Sequence, residues 1–274
     1  MDAGALARQL AAVDLKWFFL ALSASIVSNV ISAARWAAIA HGLGLRAPLG
    51  QAVIMYFRGM TMNVLLPGAT VSGDLLRSYQ LAKMGKNTLL RAGLSVLLDR
   101  LSGLWILCAM SLLALLIALA SGMLPLDKPI GIYVAGLVIG LALPWLPVPV
   151  TRLESLRRQA LQSGGPILSS AWLSALVQVF SAAALWLCGF AAGVSLSYPV
   201  MLAAAAPIFI MGAMPIGWGG FGARELSAVV VLGALGVAAD QATATALLYG
   251  VSAIVQGIAS APLFLVTSEA RQSS

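Results

Sequence analysis

Residues 214–225 read Met-Pro-Ile-Gly-Trp-Gly-Gly-Phe-Gly-Ala-Arg-Glu, and this stretch decides the fold of the chain. It follows a long segment, residues 159–213, that contains no Asp, Glu, Lys or Arg. One proline and four glycines prevent a regular helix here, and the charged pair Arg224 and Glu225 comes next, inside apolar sequence. Because a broken backbone and charges are costly in hydrocarbon, such a stretch is typical of a site that is buried in protein or lines a wet cavity.

A similar string occupies residues 65–77 and reads Leu-Leu-Pro-Gly-Ala-Thr-Val-Ser-Gly-Asp-Leu-Leu-Arg. Both strings contain an apolar run, a break with proline and glycine, a further glycine, and then an acid and an arginine. They lie in comparable places of two half-chains, about residues 17–125 and 167–266. Corresponding interrupted segments in two halves indicate a transporter-type binding site. The residues alone leave open whether the halves are a structural repeat, and whether such a repeat is inverted or parallel.

Composition places both strings in a membrane protein. The chain is 61% hydrophobic and only 9% charged, with a mean hydropathy of +0.97, whereas soluble domains carry about a quarter charged residues. The apolar runs are continuous and do not alternate as barrel strands do. We therefore predict an all-α polytopic membrane protein with about six spanning helices and two re-entrant or broken-helix regions. Residues 1–274 form a single transmembrane domain, with an amphipathic interfacial lead-in at residues 1–16.

The net charge of +7 comes from basic residues between the apolar runs. This positive-inside pattern predicts that the basic segments near residues 77–100 and 152–158 are cytoplasmic, and that anionic lipid headgroups, rather than nucleic acid, are the partner. Cys108 and Cys188 fit buried small hydrophobes, and His41 has no ligand partners nearby. The sequence thus predicts no metal, no cofactor and no catalytic constellation, and so no enzyme. The glycine spacing at residues 217–222 lacks the preceding strand that a dinucleotide site needs.

The candidate headgroup ligands are the polar, proline and glycine positions of the two strings and of the run before the first: Arg58, Asn63, Pro67, Gly68, Gly73, Asp74, Arg77, Pro215, Gly219, Gly220, Gly222, Arg224 and Glu225. The planar fork of arginine suits phosphate, and glycines expose backbone N–H groups to it.

Each charged candidate also has a structural interpretation. Arg224 and Glu225 are equally consistent with an ion pair at a helix start, and Asp74 with Arg77 fits a helix-start acid followed by a snorkelling arginine. Arg58 and Arg35 are interfacial anchors or cavity cations.

Asp99 and Arg100 open a later apolar run as a supporting ion pair. They fit either a helix cap with an interfacial anchor or a salt bridge to one of the broken strings.

Four motifs in this order carry a resemblance to a known family: Asn63 to Gly68, Gly73-Asp74 with Arg77, Asp99 to Leu104, and Gly219 to Glu225. Over about residues 15–268 the chain resembles the lysylphosphatidylglycerol synthase transmembrane-region family. These are flippase-like bacterial and archaeal membrane proteins that include the flippase half of the multiple peptide resistance factors.

The chain departs from the family pattern in two places. Ser72 stands where a second glycine is common, and no soluble aminoacyl-transferase domain precedes the last residue, Ser274. The resemblance therefore implies a lipid-translocating core of a bacterial inner membrane, without lysyl transfer and without a particular lipid.

Three functions remain open at this point. The favoured one is a flippase-like transporter that binds an anionic phospholipid or lipid-linked headgroup between the two broken strings. Because the chain has no ATP motif, movement would be downhill or ion-coupled. The alternatives are a non-transporting membrane partner of a lipid-modifying enzyme such as a glycosyltransferase, and a small-solute secondary transporter or channel. The oligomeric state stays open, a homo-oligomer included.

Overall fold

The computed structural model describes residues 3–66, 71–84, 88–124, 130–142, 164–214 and 221–265. Within these ranges every regular element is a helix, which confirms the predicted all-α fold. The elements are α1 (Ala3–Ala11), α2 (Leu15–Gly42), α3 (Leu49–Leu65), α4 (Val71–Met84), α5 (Leu89–Ala120), α6 (Ile130–Ala142), α7 (Gly164–Ala191), α8 (Tyr198–Ala213), α9 (Ala223–Ala234), α10 (Ala239–Ala259) and a closing 3-10 helix (Ala261–Leu265).

Four helices of the described part are long and apolar enough to cross a membrane: α2, α5, α7 over Ser170–Ala191, and α10 with the 3-10 helix over Ala239–Leu265. The sequence predicted about six, and α6 and α8 are apolar but shorter. Helix α5 begins at Leu89, well before Asp99 and Arg100, and Thr88 caps it by accepting the Arg91 N–H at 3.4 Å. The stretch around Asp99 and Arg100 is therefore helical.

Helices α2 and α7 form the antiparallel centre of the fold. Trp17 of α2 stacks on Phe190 near the end of α7, with ring centroids 5.2 Å apart. Eleven residues further along α2, Ser28 meets Ser181 at 2.7 Å between hydroxyl oxygens. The buried face of α2 is largely Ala and Ser. Small residues let two membrane helices approach closely, and their hydroxyls bond across the interface.

Two hairpins of short helices pack beside this centre. Helix α3 ends at Leu65 and α4 begins at Val71, while α8 ends at Ala213 and α9 begins at Ala223. The predicted breaks fall between these ends. Of the candidate ligands, those at the breaks lie outside the described residues: Pro67, Gly68, Pro215, Gly219 and Gly220.

Each hairpin also packs against a long helix from the other half of the chain. Ser111 of α5 donates to the Leu202 carbonyl of α8 at 3.0 Å. Thr61 of α3 donates to the Gly257 carbonyl of α10 at 2.7 Å. The two halves therefore interlock, and neither hairpin is surrounded only by helices of its own half.

Candidate functional site

Five charged side chains from three helices form a chain of alternating sign, which we call the first cluster: Arg35, Asp99, Arg77, Asp74 and Arg100. Arg35 Nε donates to Asp99 Oδ1 at 2.8 Å. Arg77 lies between the two acids, with Nη2 at 2.7 Å from Asp74 Oδ1 and Nη1 at 3.6 Å from Asp99 Oδ2. Arg100 donates two hydrogen bonds to the Asp74 carboxylate, from Nε to Oδ2 at 2.9 Å and from Nη2 to Oδ1 at 2.8 Å. Helices α2, α4 and α5 are thereby tied together by charge.

The first cluster runs from the interior to the surface. The exposed fraction of the side chain is 6% for Arg35, 2% for Asp99 and 3% for Arg77. It rises to 21% for Asp74 and 39% for Arg100. Arg100 is therefore the member that an outside anion meets first.

Asp74 lies on α4, outside the four candidate spans. Burial raises the pKa of its carboxyl, but the charges and hydrogen bonds of Arg100 and Arg77 outweigh burial and hold the pKa below its ordinary value. Asp74 is therefore ionised at neutral pH and balances the two arginines.

Aromatic rings surround the Arg77 guanidinium. Its carbon lies 4.9 Å from the Trp36 ring centre and 4.7 Å from the Tyr56 ring centre. Trp36 is itself fixed, because its indole N–H donates to the Ser95 hydroxyl at 3.1 Å. Cations over aromatic faces are stabilised most where water is excluded. Arg77 is thus held in place by two acids and two rings.

The end of the first hairpin is built on Asn63. Its side-chain oxygen accepts the Gly73 N–H at 2.7 Å and the Ser72 hydroxyl at 3.1 Å. Asn63 therefore caps the first turn of α4 from the neighbouring helix. A Cβ at Gly73 would overlap the Gly59 carbonyl and come within 2.7 Å of Asn63 Oδ1, so only glycine fits this crossing.

Arg224 and Glu225, which we call the second cluster, sit at the start of α9. Glu225 Oε1 accepts from Arg224 Nη2 at 2.9 Å and from Nε at 3.2 Å, and its other oxygen accepts the Gly222 N–H. Gly222 has φ of 93°, a backbone region that favours glycine. The Arg224 guanidinium lies 4.9 Å from the Phe221 ring centre and 5.9 Å from that of Tyr249. Both clusters therefore place an arginine beside a carboxylate and two aromatic rings.

The two hairpin ends meet on α10. The Arg224 guanidinium and Phe221 lie directly over Gly250, where a Cβ would overlap both. On the same helix a Cβ at Gly257 would lie 2.5 Å from Val64 Cγ2 and 3.0 Å from the Met60 carbonyl oxygen. Seven residues of helix separate the two contacts, which is about 10 Å along its axis. Helix α10 thus brings together the two broken strings that the sequence singled out.

Other candidates take separate places. Arg58 donates twice to the Leu263 carbonyl, at 3.0 and 2.8 Å, and lies 5.6 Å from the Phe264 ring centre. Its contacts are thus to the closing 3-10 helix. Asp99 and Arg100 both bridge to Asp74 or Arg77 of the first broken string, which is the second of the two interpretations that the sequence left open.

The place of Arg35 in the first cluster does not follow from the local sequence. Its position inside an otherwise uncharged run was the available signal, since an ionisable residue within a span needs a partner. The Arg35 guanidinium packs over Gly103 of α5, where a Cβ would come within 2.9 Å of Nη1. Local sequence does not predict that α5 is the helix that pairs with Arg35.

Within the described part of the chain, no group of three or more His, Cys, Asp or Glu side chains could hold a metal ion. The four long apolar helices and the two helical hairpins define a multi-pass α-helical membrane protein. The chain belongs to the lysylphosphatidylglycerol synthase TM region family, whose model matches residues 1–260. The comparison with curated proteins found no match. Membership confirms the family resemblance and links the chain to lipid handling in membranes.

Proposed function

We propose that this protein is a flippase-like transporter of the bacterial cytoplasmic membrane. It binds an anionic phospholipid or lipid-linked headgroup at the ends of the two hairpins and moves it between leaflets, while the acyl tails stay in lipid. The observation that carries the proposal is the pair of arginine–carboxylate clusters at two broken helices that converge on α10. Ionisable groups inside a membrane protein mark substrate pathways by default.

We infer that the two halves form an inverted repeat, and the spacing of the helices supports this inference. Each of four helices begins about 150 residues before a counterpart in the second half: Leu15 and Gly164, Leu49 and Tyr198, Val71 and Ala223, Leu89 and Ala239. The first pair, α2 and α7, runs antiparallel. An inverted repeat places a substrate site near the bilayer midplane, at the interface of the halves.

The hairpins then enter the membrane from opposite sides as re-entrant segments. Their helices contain 12 to 17 residues, or about 18–26 Å, which is short of a bilayer core of about 30 Å. The basic segments near residues 77–100 and 152–158 face the cytoplasm in this arrangement. Broken helices of this kind present backbone N–H groups to an anionic group, which is the role that the sequence predicts for the glycines of the two strings.

The headgroup binds when its phosphate replaces a carboxylate on an arginine side chain. Asp74 occupies the Arg100 fork, and Glu225 occupies the Arg224 fork. A headgroup phosphate matches the same planar fork and replaces the carboxylate. The carboxylates therefore keep the arginines balanced between transport events. Movement is downhill or coupled to an ion.

Reconstitution tests the proposal. The purified chain in liposomes should move fluorescent phosphatidylglycerol between leaflets, and Arg224→Ala should slow this movement at least tenfold, since one charge-assisted pair is worth about 1.5–3 kcal/mol. Arg91→Gln, an exposed charge on α5, is the matched control and should move lipid as the parent does. Transport by Arg224→Ala at the parent rate would refute the site. No transport by the parent, together with a crosslinked enzyme in native membranes, would favour the partner role.

A further inference from the structure

The first cluster has one more positive charge than negative charges. It contains three arginines against two aspartates, whereas the second cluster pairs one arginine with one glutamate and is neutral. Helix α7, which packs against α2 and α5, has no charged residue. The charged residue of α3, Arg58, is engaged at Leu263. The formal charge of the first cluster is therefore +1.

Two donors in the first cluster have no hydrogen-bond acceptor among the described residues. They are Arg35 Nη1 and Arg77 Nη1, both fully buried. Asp99 lies between these arginines, but Arg77 Nη1 reaches its oxygen only at 3.6 Å. Buried guanidinium donors without acceptors are costly, and a further acceptor oxygen would offset that cost. The spare charge and the spare donors occur in the same group of side chains.

A buried site is most stable with its ligand when the total charge is zero, because net charge in a low-dielectric interior is costly. A phosphodiester brings one negative charge and gives zero. A phosphate monoester brings about 1.5 to 2 negative charges at neutral pH and leaves an excess of negative charge. A zwitterionic headgroup brings none and leaves the +1.

On this basis we propose that the first cluster selects a headgroup with one net negative charge: a phosphodiester without a cationic group, rather than a phosphate monoester or a zwitterionic phosphodiester. The headgroup meets Arg100 first, displaces Asp74, and supplies an acceptor to the buried arginines. This inference rests on the proposed lipid function but is tested by binding and not by transport, so the two can fail separately.

The test compares the binding of three short-chain lipids to the purified chain at pH 7.5: dihexanoyl phosphatidylglycerol, dihexanoyl phosphatidic acid and dihexanoyl phosphatidylcholine. We expect phosphatidylglycerol to bind at least about tenfold more tightly than the other two. Equal or tighter binding of either competitor, or no binding of phosphatidylglycerol, would overturn the inference.

A change of pH tests the rule without altering the protein sequence. The second pKa of a phosphate monoester is about 6, so phosphatidic acid becomes singly charged near pH 5 and should then bind almost as tightly as phosphatidylglycerol. Phosphatidylglycerol keeps its charge over this range and is the control for titration of the protein groups at the site: Arg35 on α2, Tyr56 on α3, Asp74 and Arg77 on α4, and Asp99 and Arg100 on α5. A preference that does not narrow at pH 5 contradicts the charge rule.

Charge variants test the same rule from the side of the protein. Asp74→Asn raises the cluster to +2 and should move the preference toward phosphatidic acid, while Arg35→Gln lowers it to zero and should move it toward phosphatidylcholine. Asp240→Asn and Arg91→Gln make the same charge changes elsewhere and should leave the preference as in the parent. Dimethyl phosphate, a soluble diester, distinguishes a lipid headgroup from a free phosphodiester as the ligand. If it competes only weakly with phosphatidylglycerol, the site is one for lipid. If it competes as strongly as the lipid does, a lipid-specific site is overturned.

Discussion

At the scale of single residues, ion pairs with two shared acids explain how arginines are tolerated within an apolar protein. Arg35 and Arg77 share the buried Asp99, and Arg77 and Arg100 share Asp74. Aromatic rings of Trp36 and Tyr56 stabilise the central guanidinium further. Because Arg77 contacts both acids, the loss of Asp99 takes the carboxylate from Arg35 and leaves Arg77 with Asp74 alone.

Asp99→Asn is therefore expected to destabilise the fold. Removing one partner of a buried ion pair costs about 3–5 kcal/mol, since the charge that remains has lost its balance. Thermal unfolding in detergent measures the effect as a lower unfolding temperature. Asp240→Asn, an acid in the first turn of α10, is the matched control. Equal unfolding temperatures for the two variants would show that Asp99 does not hold Arg35 and Arg77 together.

Gly73→Ala should separate α3 from α4. The added methyl group would overlap the Gly59 carbonyl and Asn63 Oδ1, and overpacking of this kind costs about 1–3 kcal/mol. Gly93→Ala on α5 is the control, because a Cβ there meets nothing within 4 Å and helix propensity favours alanine. In thermal unfolding, Gly73→Ala should lower the midpoint temperature, whereas Gly93→Ala should leave it unchanged or raise it. The opposite order would contradict the close crossing.

Local sequence predicted some of these contacts and not others. Asp74 with Arg77, and Arg224 with Glu225, are three or fewer residues apart, so their pairing follows from helix geometry or adjacency. Arg35 and Asp99 are 64 positions apart, and Arg100 reaches back 26 positions to Asp74. Such pairs depend on which helices are neighbours in space. Only the need for some partner could be predicted.

At the scale of elements, α10 is the helix on which both hairpin ends rest. Gly250 leaves room for Arg224 and Phe221, and Gly257 leaves room for Val64 and the backbone of Met60. Both positions are glycine because a side chain would push a hairpin away. The sequence predicted two breaks from their prolines and glycines, but it did not predict their meeting on α10, since these contact glycines form no recognisable motif.

A cysteine crosslink tests this meeting. Val64→Cys with Gly257→Cys should form a disulfide, because the contact brings their Cβ atoms to about 4 Å, which is the separation a disulfide requires. Val64→Cys with Gly250→Cys is the matched control, since Gly250 lies about 10 Å further along the helix. Cys108 and Cys188 are replaced by alanine in both proteins, and peptide mass spectrometry reads the product. Equal crosslinking of the two pairs would refute the observed packing.

At the scale of the whole molecule, the two interlocked halves explain why the site is shared between distant parts of the chain. Helix α5 covers the second hairpin and α10 covers the first. Composition was enough to predict a helical membrane protein, and four ordered motifs were enough to predict the family. The part of the chain that the structure describes contains four long apolar helices and the shorter apolar helices α6 and α8, beside the about six spans that the sequence predicts.

A structure of the protein with bound phosphatidylglycerol would show whether the arginine clusters bind the headgroup. We expect a lipid phosphate about 3 Å from guanidinium nitrogens of Arg100 or Arg77 in the first cluster, or of Arg224 in the second, with the neighbouring carboxylate displaced. Its acyl chains would extend outward between the helices. Lipid found only around the outer surface, with Asp74 still on Arg100 and Glu225 still on Arg224, would show that the clusters are structural ion pairs and not a headgroup site.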